Sequence, residues 1–408
     1  MNLIGFNKNV RVLNLTNHND LAQELARIGV DSKAWDIFSA KLENLTIKIE
    51  HLPAGLANIL KQTALALGAD CAQHCQIITG RKKFSDVILF ANLRQLERIG
   101  ERLSYQPFSG GKLGKEIIGL VKRYRQKNLN LKIGNKIFDF TKRTYLMGIL
   151  NITPDSFSDG GRYLDTGKAI SRAEVIEAEG ADLIDLGAES TRPGSKPITP
   201  KEELKRLIPV LKIIRKKLKI PISVDTYKSE VAKAVLSEGA DMINDITGLN
   251  FDKQMPKIIA KFDVPCIIMH IKGKPKSMQK NPHYKDTTAE IYDYLAQSMS
   301  QAQAGGINPK KIIIDPGIGF GKRLEDNYMI LRRLSQLKSL GRPIMVGPSR
   351  KSFIGLTLNL PVGERLEGTI AASVMAIMQG ANFLRVHDVA QVKRAAIMTD
   401  AIKKGPVC

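Results

Sequence analysis

From Thr144 onward, short apolar runs alternate with longer amphipathic stretches eight times. The runs read TYLMGILN, DLIDLGAES, PISVDT, MINDI, PCIIMH, IIIDPG, PIMVGPSRK and NFLRVHD. Ile, Val and Leu fill them without polar alternation, which suits strands covered on both faces, as in a parallel sheet. Helical periodicity follows most of them. Strand and helix repeated eight times predicts an α/β fold, a closed (β/α)8 TIM barrel, whose active site is built at the C-terminal ends of the strands. Nearly every run ends there on a polar side chain: Asn151, Glu189, Asp225, Asn244 with Asp245, His270, Asp315, Ser349 to Lys351, and Arg385 with His387.

The preceding third is patterned differently. RVLNL predicts a strand, and DLAQELARI a helix over Asp20 to Ile28 with Asp20 as its cap. Pro53 can open a helix that runs to Gly68, because the first turn does not need its missing N–H. CQIITG and DVILFA predict strands, and LRQLERIGERL a helix. These elements make a small basic α+β N-terminal domain over residues 1–124. A linker and hairpin follow at 125–143, the hairpin being KIGNKIFDF with its central Gly-Asn, placed to close the bottom of the barrel or to pack beside its first strand. The barrel then occupies 144–408.

A chain of 408 residues has room for both parts. Its net charge of +22 is uneven, since residues 1–143 carry 23 basic and 12 acidic side chains. A basic surface attracts anions, whether or not specifically. Four scattered cysteines do not make a disulfide framework and fit thiols in a reducing cytoplasm. CAQHC offers three metal donors, but no second pair follows at finger-like spacing. No apolar run reaches the roughly 18–20 residues needed to span a bilayer, so no membrane partner is expected and a cytoplasmic location is.

Chemistry concentrates at the predicted rim. NITPDSFSDGG after the first strand has the composition of a lid, with Phe157 in its middle; ESTRPG after the second sets Arg192 on a turn stiffened by Pro193. Asp225, Asn244 and Asp315 end three buried strands, and together they could accept the donor edge of a flat heterocycle such as a pterin or guanine. SRK and RVH supply cations near strands seven and eight, where barrels often bind phosphate. Alternate strand residues point the same way, so Arg385 and His387 should project together. SGGKLGKE resembles a P-loop but is one residue short and has Glu116 in place of Ser or Thr; GIGFGK lacks the glycine spacing of a dinucleotide loop.

Taken in order, MGILNITPDSFSDGG, DLGAESTRPG, SVDTYKSEV, INDITG, IDPGIGFGK, GPSRKSFIG and RVHDV closely resemble the dihydropteroate synthase family across about residues 144–400. The resemblance implies a transferase that condenses 6-hydroxymethyl-7,8-dihydropterin pyrophosphate with 4-aminobenzoate, through loss of pyrophosphate to a pterin-stabilised cation. It implies pterin contacts by Asp225, Asn244, Asp315 and Lys351, a pyrophosphate site of Arg385 and His387 with Thr191 nearby, and a Mg2+ cofactor held by Asn151. Phe157, Arg192, Pro193, Phe320 and Ser349 correspond to the 4-aminobenzoate and sulfonamide pocket. Lys351, Arg385, His387 and Asn151 are the residues implied to drive the reaction. A homodimer through barrel helices is also implied. Two departures stand out: Ile271 and Lys272 replace the family's usual Met and Gln, and the N-terminal domain has no counterpart in the shortest members, while some longer bacterial and archaeal sequences carry a similar extension. A methyltetrahydrofolate-dependent corrinoid methyltransferase shares a pterin-binding barrel but would not need SRK, RVH or the NITPDSFSDGG lid. A pterin- or nucleic-acid-binding protein without catalysis, with the basic N-terminal domain as its recognition module, is supported by no aromatic RNP pair or helix-turn-helix pattern, so a nucleic-acid partner is not expected.

Overall fold

The structure, a computed structural model, describes residues 11–15, 17–107, 109–126, 129–152, 162–190, 195 and 197–405. It divides into two compact units, Met1–Arg125 with Lys404–Cys408, and Gln126–Lys403.

In the N-terminal unit β1 (Asn44–Pro53), β2 (Asp70–Gln73) and β3 (Phe84–Asn92) form an antiparallel sheet in the order β1-β3-β2. The helices are α1 (His18–Ile28), α2 (Trp35–Leu42), α3 (Ala54–Leu65), α4 (Leu93–Ser104) and α5 (Ser109–Tyr124). Strand β3 buries Ser85, Val87, Leu89 and Ala91 and exposes the residues between them, so one sheet face is covered. Leu60, Leu96, Ile99 and Leu103 fill the core beneath it. Helices α4 and α5 meet at glycines: a Cβ on Gly114 would lie 2.4 Å from the Gly100 carbonyl oxygen, so the glycines of SGGKLGKE serve close helix packing.

Three local expectations fail here. RVLNL forms no strand, and Val12 is 97% exposed. Alternation alone supplies no neighbouring strand to bond with. CQIITG is a 3-10 turn rather than a strand, because the His74 side chain accepts from the Gln76 N–H and turns the chain locally. The cap of α1 is Asn17, whose side chain accepts from the Asp20 N–H, so the helix starts before Asp20. Within CAQHC, Cys71 is buried and Cys75 exposed, and among the described residues no three His, Cys, Asp or Glu gather to hold a metal.

The second unit opens with the hairpin of β4 (Asn130–Ile133) and β5 (Lys136–Asp139). Eight parallel strands follow: β6 (Tyr145–Asn151), β7 (Leu183–Gly187), β8 (Ile222–Asp225), β9 (Met242–Asp245), β10 (Cys266–Met269), β11 (Ile312–Asp315), β12 (Met345–Val346) and β13 (Phe383–Val386). They pair in sequence order, with β13 bonded to both β6 and β12. A parallel bridge between Ile314 and Ile344 closes the ring. This is the (β/α)8 barrel that the eight apolar runs predict. Among the described residues its helices are α6 (Arg162–Ala178), α7 (Pro200–Lys217), α8 (Ser229–Ser237), α9 (Met255–Phe262), α10 (Thr287–Ala304), α11 (Leu324–Arg333), α12 (Ser352–Leu358), α13 (Leu366–Met378) and α14 (Val389–Lys404).

The hairpin plugs the N-terminal end of this barrel. Leu131, Ile133, Phe138 and Phe140 pack against Tyr145, Met147, Leu183, Met242, Ile267, Ile313, Met345 and Phe383, all near the strand starts. Burying a large side chain here contributes roughly 1.5–3 kcal/mol. With the floor sealed, the open end of the strands is where a ligand can enter.

Candidate active site

Strand register sets the rim. Asn151 pairs across to Gly187, Gly187 to Asp225, and Asp225 to Asn244, so four successive strands present one row. Gly187 leaves a gap in that row: a Cβ there would lie 3.5 Å from Asn151 Oδ1 and 3.9 Å from Asp225 Oδ2. The two oxygens therefore border one small space at the ends of β6 and β8.

Arg385 ties the row together from β13. Its Nε donates to Asp185 Oδ2 at 2.6 Å and its Nη2 to Asp225 Oδ2 at 2.9 Å, while Nη1 takes no part in either bond. Asn244 Nδ2 donates to the same Asp185 oxygen at 2.9 Å. Burial works against the guanidinium's charge, but the two aspartates outweigh it and hold Arg385 firmly protonated. Burial raises Asp225 above the usual carboxylate range, against the lowering effect of Arg385.

Asp185 is a site residue the sequence reading passed over. It sits inside the DLIDLG run, where it read as part of a buried strand. Its signal was available: Leu183, Asp185 and Gly187 alternate, so a carboxylate must point the same way as the floor residue Leu183 and the rim residue Gly187. A fully buried carboxylate facing a barrel interior needs a cation, and Arg385 is that cation.

Next to this layer lies an open pocket bordered by Asn244, Asp315, Phe320, Lys351 and Arg385 together with apolar Ile246 and Met269. Asp315 accepts from the Gly317 N–H at 2.6 Å, and burial pushes its carboxyl up to about 6. Lys351 Nζ lies 4.1 Å from the centre of the Phe320 ring, and burial followed by Arg385 brings its ammonium down to about 8. The cavity thus combines an aromatic wall, acceptors at Asp315 and Asn244, and cations at Lys351 and Arg385.

Ser349 and His387 stand together outside this lining, with Ser349 Oγ 3.0 Å from His387 Nδ1. Burial, then Arg385 and Arg350, lowers His387 to about 3, so it is a neutral imidazole. Its neighbour Arg350, in the left-handed region at φ 55°, is ion-paired to Asp388. Phe157, Thr191, Arg192 and Pro193 lie outside the described residues. Just before them, Glu189 accepts from Tyr227 Oη at 2.6 Å and pairs with Lys228, which also holds the buried Glu203. Of the two departures from the family, Ile271 is buried against Met269, Met278 and Phe320, while Lys272 pairs with Glu290 at 2.7 Å and covers the Tyr284 ring.

Comparison with known proteins converges on this barrel. The family model for pterin binding enzymes matches residues 147–387. The dihydropteroate synthase of Clostridium beijerinckii is 48% identical over 273 residues, which is 67% of this chain and 99% of that protein. Among solved structures, dihydropteroate synthase from Clostridium difficile, determined in the presence of pteroic acid, superposes with a TM-score of 0.62 at 47% identity, covering 67% of this chain and 98% of that one. The Xanthomonas albilineans dihydropteroate synthase with 4-aminobenzoic acid gives a TM-score of 0.64 at 39% identity, covering 68% of this chain and 100% of that one. A closed barrel with this charged rim and these relatives shows that the chain belongs to the dihydropteroate synthase family of pterin binding enzymes.

Proposed function

We propose that this pocket and the Asp185–Arg385–Asp225 layer beside it form the site at which this chain carries out its family's reaction. That reaction is a transferase condensation of 6-hydroxymethyl-7,8-dihydropterin pyrophosphate with 4-aminobenzoate, giving 7,8-dihydropteroate and pyrophosphate. The observation that carries the reading is the convergence of Asn244, Asp315, Lys351 and Arg385 on one cavity from four different strands or their loops.

Asp225, Asn244 and Asp315 receive the amidine-like N–H edge of the pterin, and Lys351 donates to its acceptor edge. A carboxylate accepts two parallel hydrogen bonds, which fixes the ring in its plane. Arg385 meets the pyrophosphate with the part of its fork that the aspartates leave available, and His387, held by Ser349, donates from its other ring nitrogen. Thr191 belongs near the same diphosphate. Asn151 would hold Mg2+ with its amide oxygen, which borders the gap left by Gly187. One protein oxygen, with substrate oxygens and waters completing the shell, is the habit of this hard cation, which when bound neutralises pyrophosphate charge.

Cationic side chains directed at the diphosphate stabilise the charge that develops on it as the C–O bond breaks. The electron-rich pterin tolerates the resulting exocyclic cation. The aryl amine attacks without a strong general base, being unprotonated at neutral pH. Phe320 and Ser349, with Phe157, Arg192 and Pro193, form the 4-aminobenzoate pocket in this reading.

Exposed Leu356, Met375, Met378, Ile397 and Met398 on α12, α13 and α14 support a homodimer through this side of the barrel. No helix among the described residues is long and apolar enough to cross a membrane. Unpaired Cys71, Cys75 and Cys266 support a cytoplasmic setting. The test is pyrophosphate release from the pterin substrate by the whole chain, with and without 4-aminobenzoate. Release that depends on the aryl amine is expected from the whole chain. Indifference to the amine would end the reading.

A further inference from the structure

One buried lysine has no part in the reaction just described. Lys322 closes the GIGFGK loop after β11, is 4% exposed, and does not line the cavity. Its Nζ lies 2.9 Å from His270 Nδ1, 3.0 Å from the Phe320 carbonyl oxygen and 3.4 Å from that of His270. An ammonium has three donors and no acceptor, so three acceptors around one nitrogen make a complete cradle. Two of these acceptors belong to the segment after β10, and the third belongs to the residue whose ring faces the cavity.

The loop is laid directly on that segment. A Cβ on Gly317 would lie 2.0 Å from the His270 carbonyl oxygen, and one on Gly321 would lie 2.4 Å from the carbonyl oxygen of Lys272. Both glycines have positive φ, at 69° and 64°, which glycine adopts without strain. Close backbone approach seats the loop but fixes no side chain. Tyr284 Oη donates to the Gly321 carbonyl at 2.6 Å and Gln279 Nε2 to that of Gly319 at 2.5 Å, so the carbonyls on either side of Phe320 are also held. Lys322 supplies the bond to Phe320 itself. Holding an amine in such a place is costly: burial brings it down to about 7, even though Asp315 and Asp326 favour its charge.

We propose that Lys322 is a positioning residue for 4-aminobenzoate, acting through the Phe320 carbonyl to set the Phe320 ring against the cavity and against Lys351. The inference deepens the proposed function and rests on it, because it takes Phe320 as a wall of the aryl amine's pocket. The specificity it predicts is one-sided. At the pterin end, Asn244 in the pocket and Asp225 beside it make no hydrogen bond to Lys322, and Asp315 meets its charge without a hydrogen bond.

The test is Lys322→Met, which keeps the length of the side chain and removes the three hydrogen bonds. KM for 4-aminobenzoate should rise tenfold or more, while the Kd for the pterin pyrophosphate, measured by calorimetry, stays within threefold of wild type. A double-mutant cycle with Phe320→Ala then separates positioning from general support. If Lys322 acts through Phe320, adding Lys322→Met to Phe320→Ala leaves KM for the aryl amine unchanged within twofold; a purely structural lysine gives the product of the two single effects. Where Lys322→Met does not accumulate as folded protein, Lys322→Gln, which keeps one donor group, is carried through the same cycle. Equal losses for both substrates, or multiplicative effects in the cycle, would overturn the proposal while leaving the proposed reaction intact. A wild-type chain without amine-dependent turnover would overturn both.

Discussion

Strand β13 carries Phe383 and Arg385 two positions apart, both pointing into the barrel, and they live in opposite worlds. At the floor, Phe383 packs with Phe138, Phe140 and Tyr145, ring centroids 5.0–5.8 Å from its own. At the rim, Arg385 is held between Asp185 and Asp225. The floor draws its stability from buried apolar area and ring contacts. The rim spends stability on charge. Asp185 Oδ1 and Asn244 Oδ1 are buried there with no hydrogen-bond partner among the described residues. One barrel interior thus separates support from chemistry by depth alone, and a substitution at one end should leave the other end's property largely untouched.

The sharpest way to break this division is Arg385→Ala. It removes the cation directed at the pyrophosphate and strands Asp185 and Asp225 together, so kcat should fall roughly 10^3- to 10^4-fold, about 4–5.5 kcal/mol in the barrier. Steady-state pyrophosphate release measures it, and near-normal turnover would refute the assignment of the rim. Phe383→Ala probes the opposite end. It should lower unfolding free energy by about 3–5 kcal/mol in a denaturant titration, with both KM values within about twofold of wild type. A large change in KM with little loss of stability would show that floor and rim are not separable.

The smallest expected effect concerns pH. Burial raises Asp315 to about 6, above its ordinary value of 3.8. Since the folded chain binds this proton more tightly than the unfolded chain, the stabilising contribution is complete below about pH 4 and is lost as pH rises through 6. Wild type should therefore lose stability relative to Asp315→Asn between pH 4.5 and 7.5, read as the difference in urea midpoints. No floor residue carries such a group, so Phe383→Ala should keep the wild-type pH slope. A difference independent of pH would mean that Asp315 is already ionised at the lower end.

All eight barrel strands were legible in the chain because burial on both faces leaves a local signature, an unbroken apolar run with a polar stop. The hairpin was legible too, through its Gly-Asn turn. In the N-terminal unit the same kind of reading failed at CQIITG, where adjacent Ile77 and Ile78 look strand-like but only Ile77 is buried. Apolar residues there face a one-sided core, and short runs are ambiguous between turn and strand.

By itself, then, the sequence determined the periodic elements, the eightfold alternation and the polar character of the strand ends, since each follows from interactions within a few residues. Tertiary structure alone decided the partners. Arg385 finds Asp185 across 200 positions and Asp225 across 160, Ser349 meets His387 across 38, and Lys322 reaches back 52 to His270. No local pattern encodes those pairings, because they exist only once closure of the ring brings distant strand ends within hydrogen-bond distance.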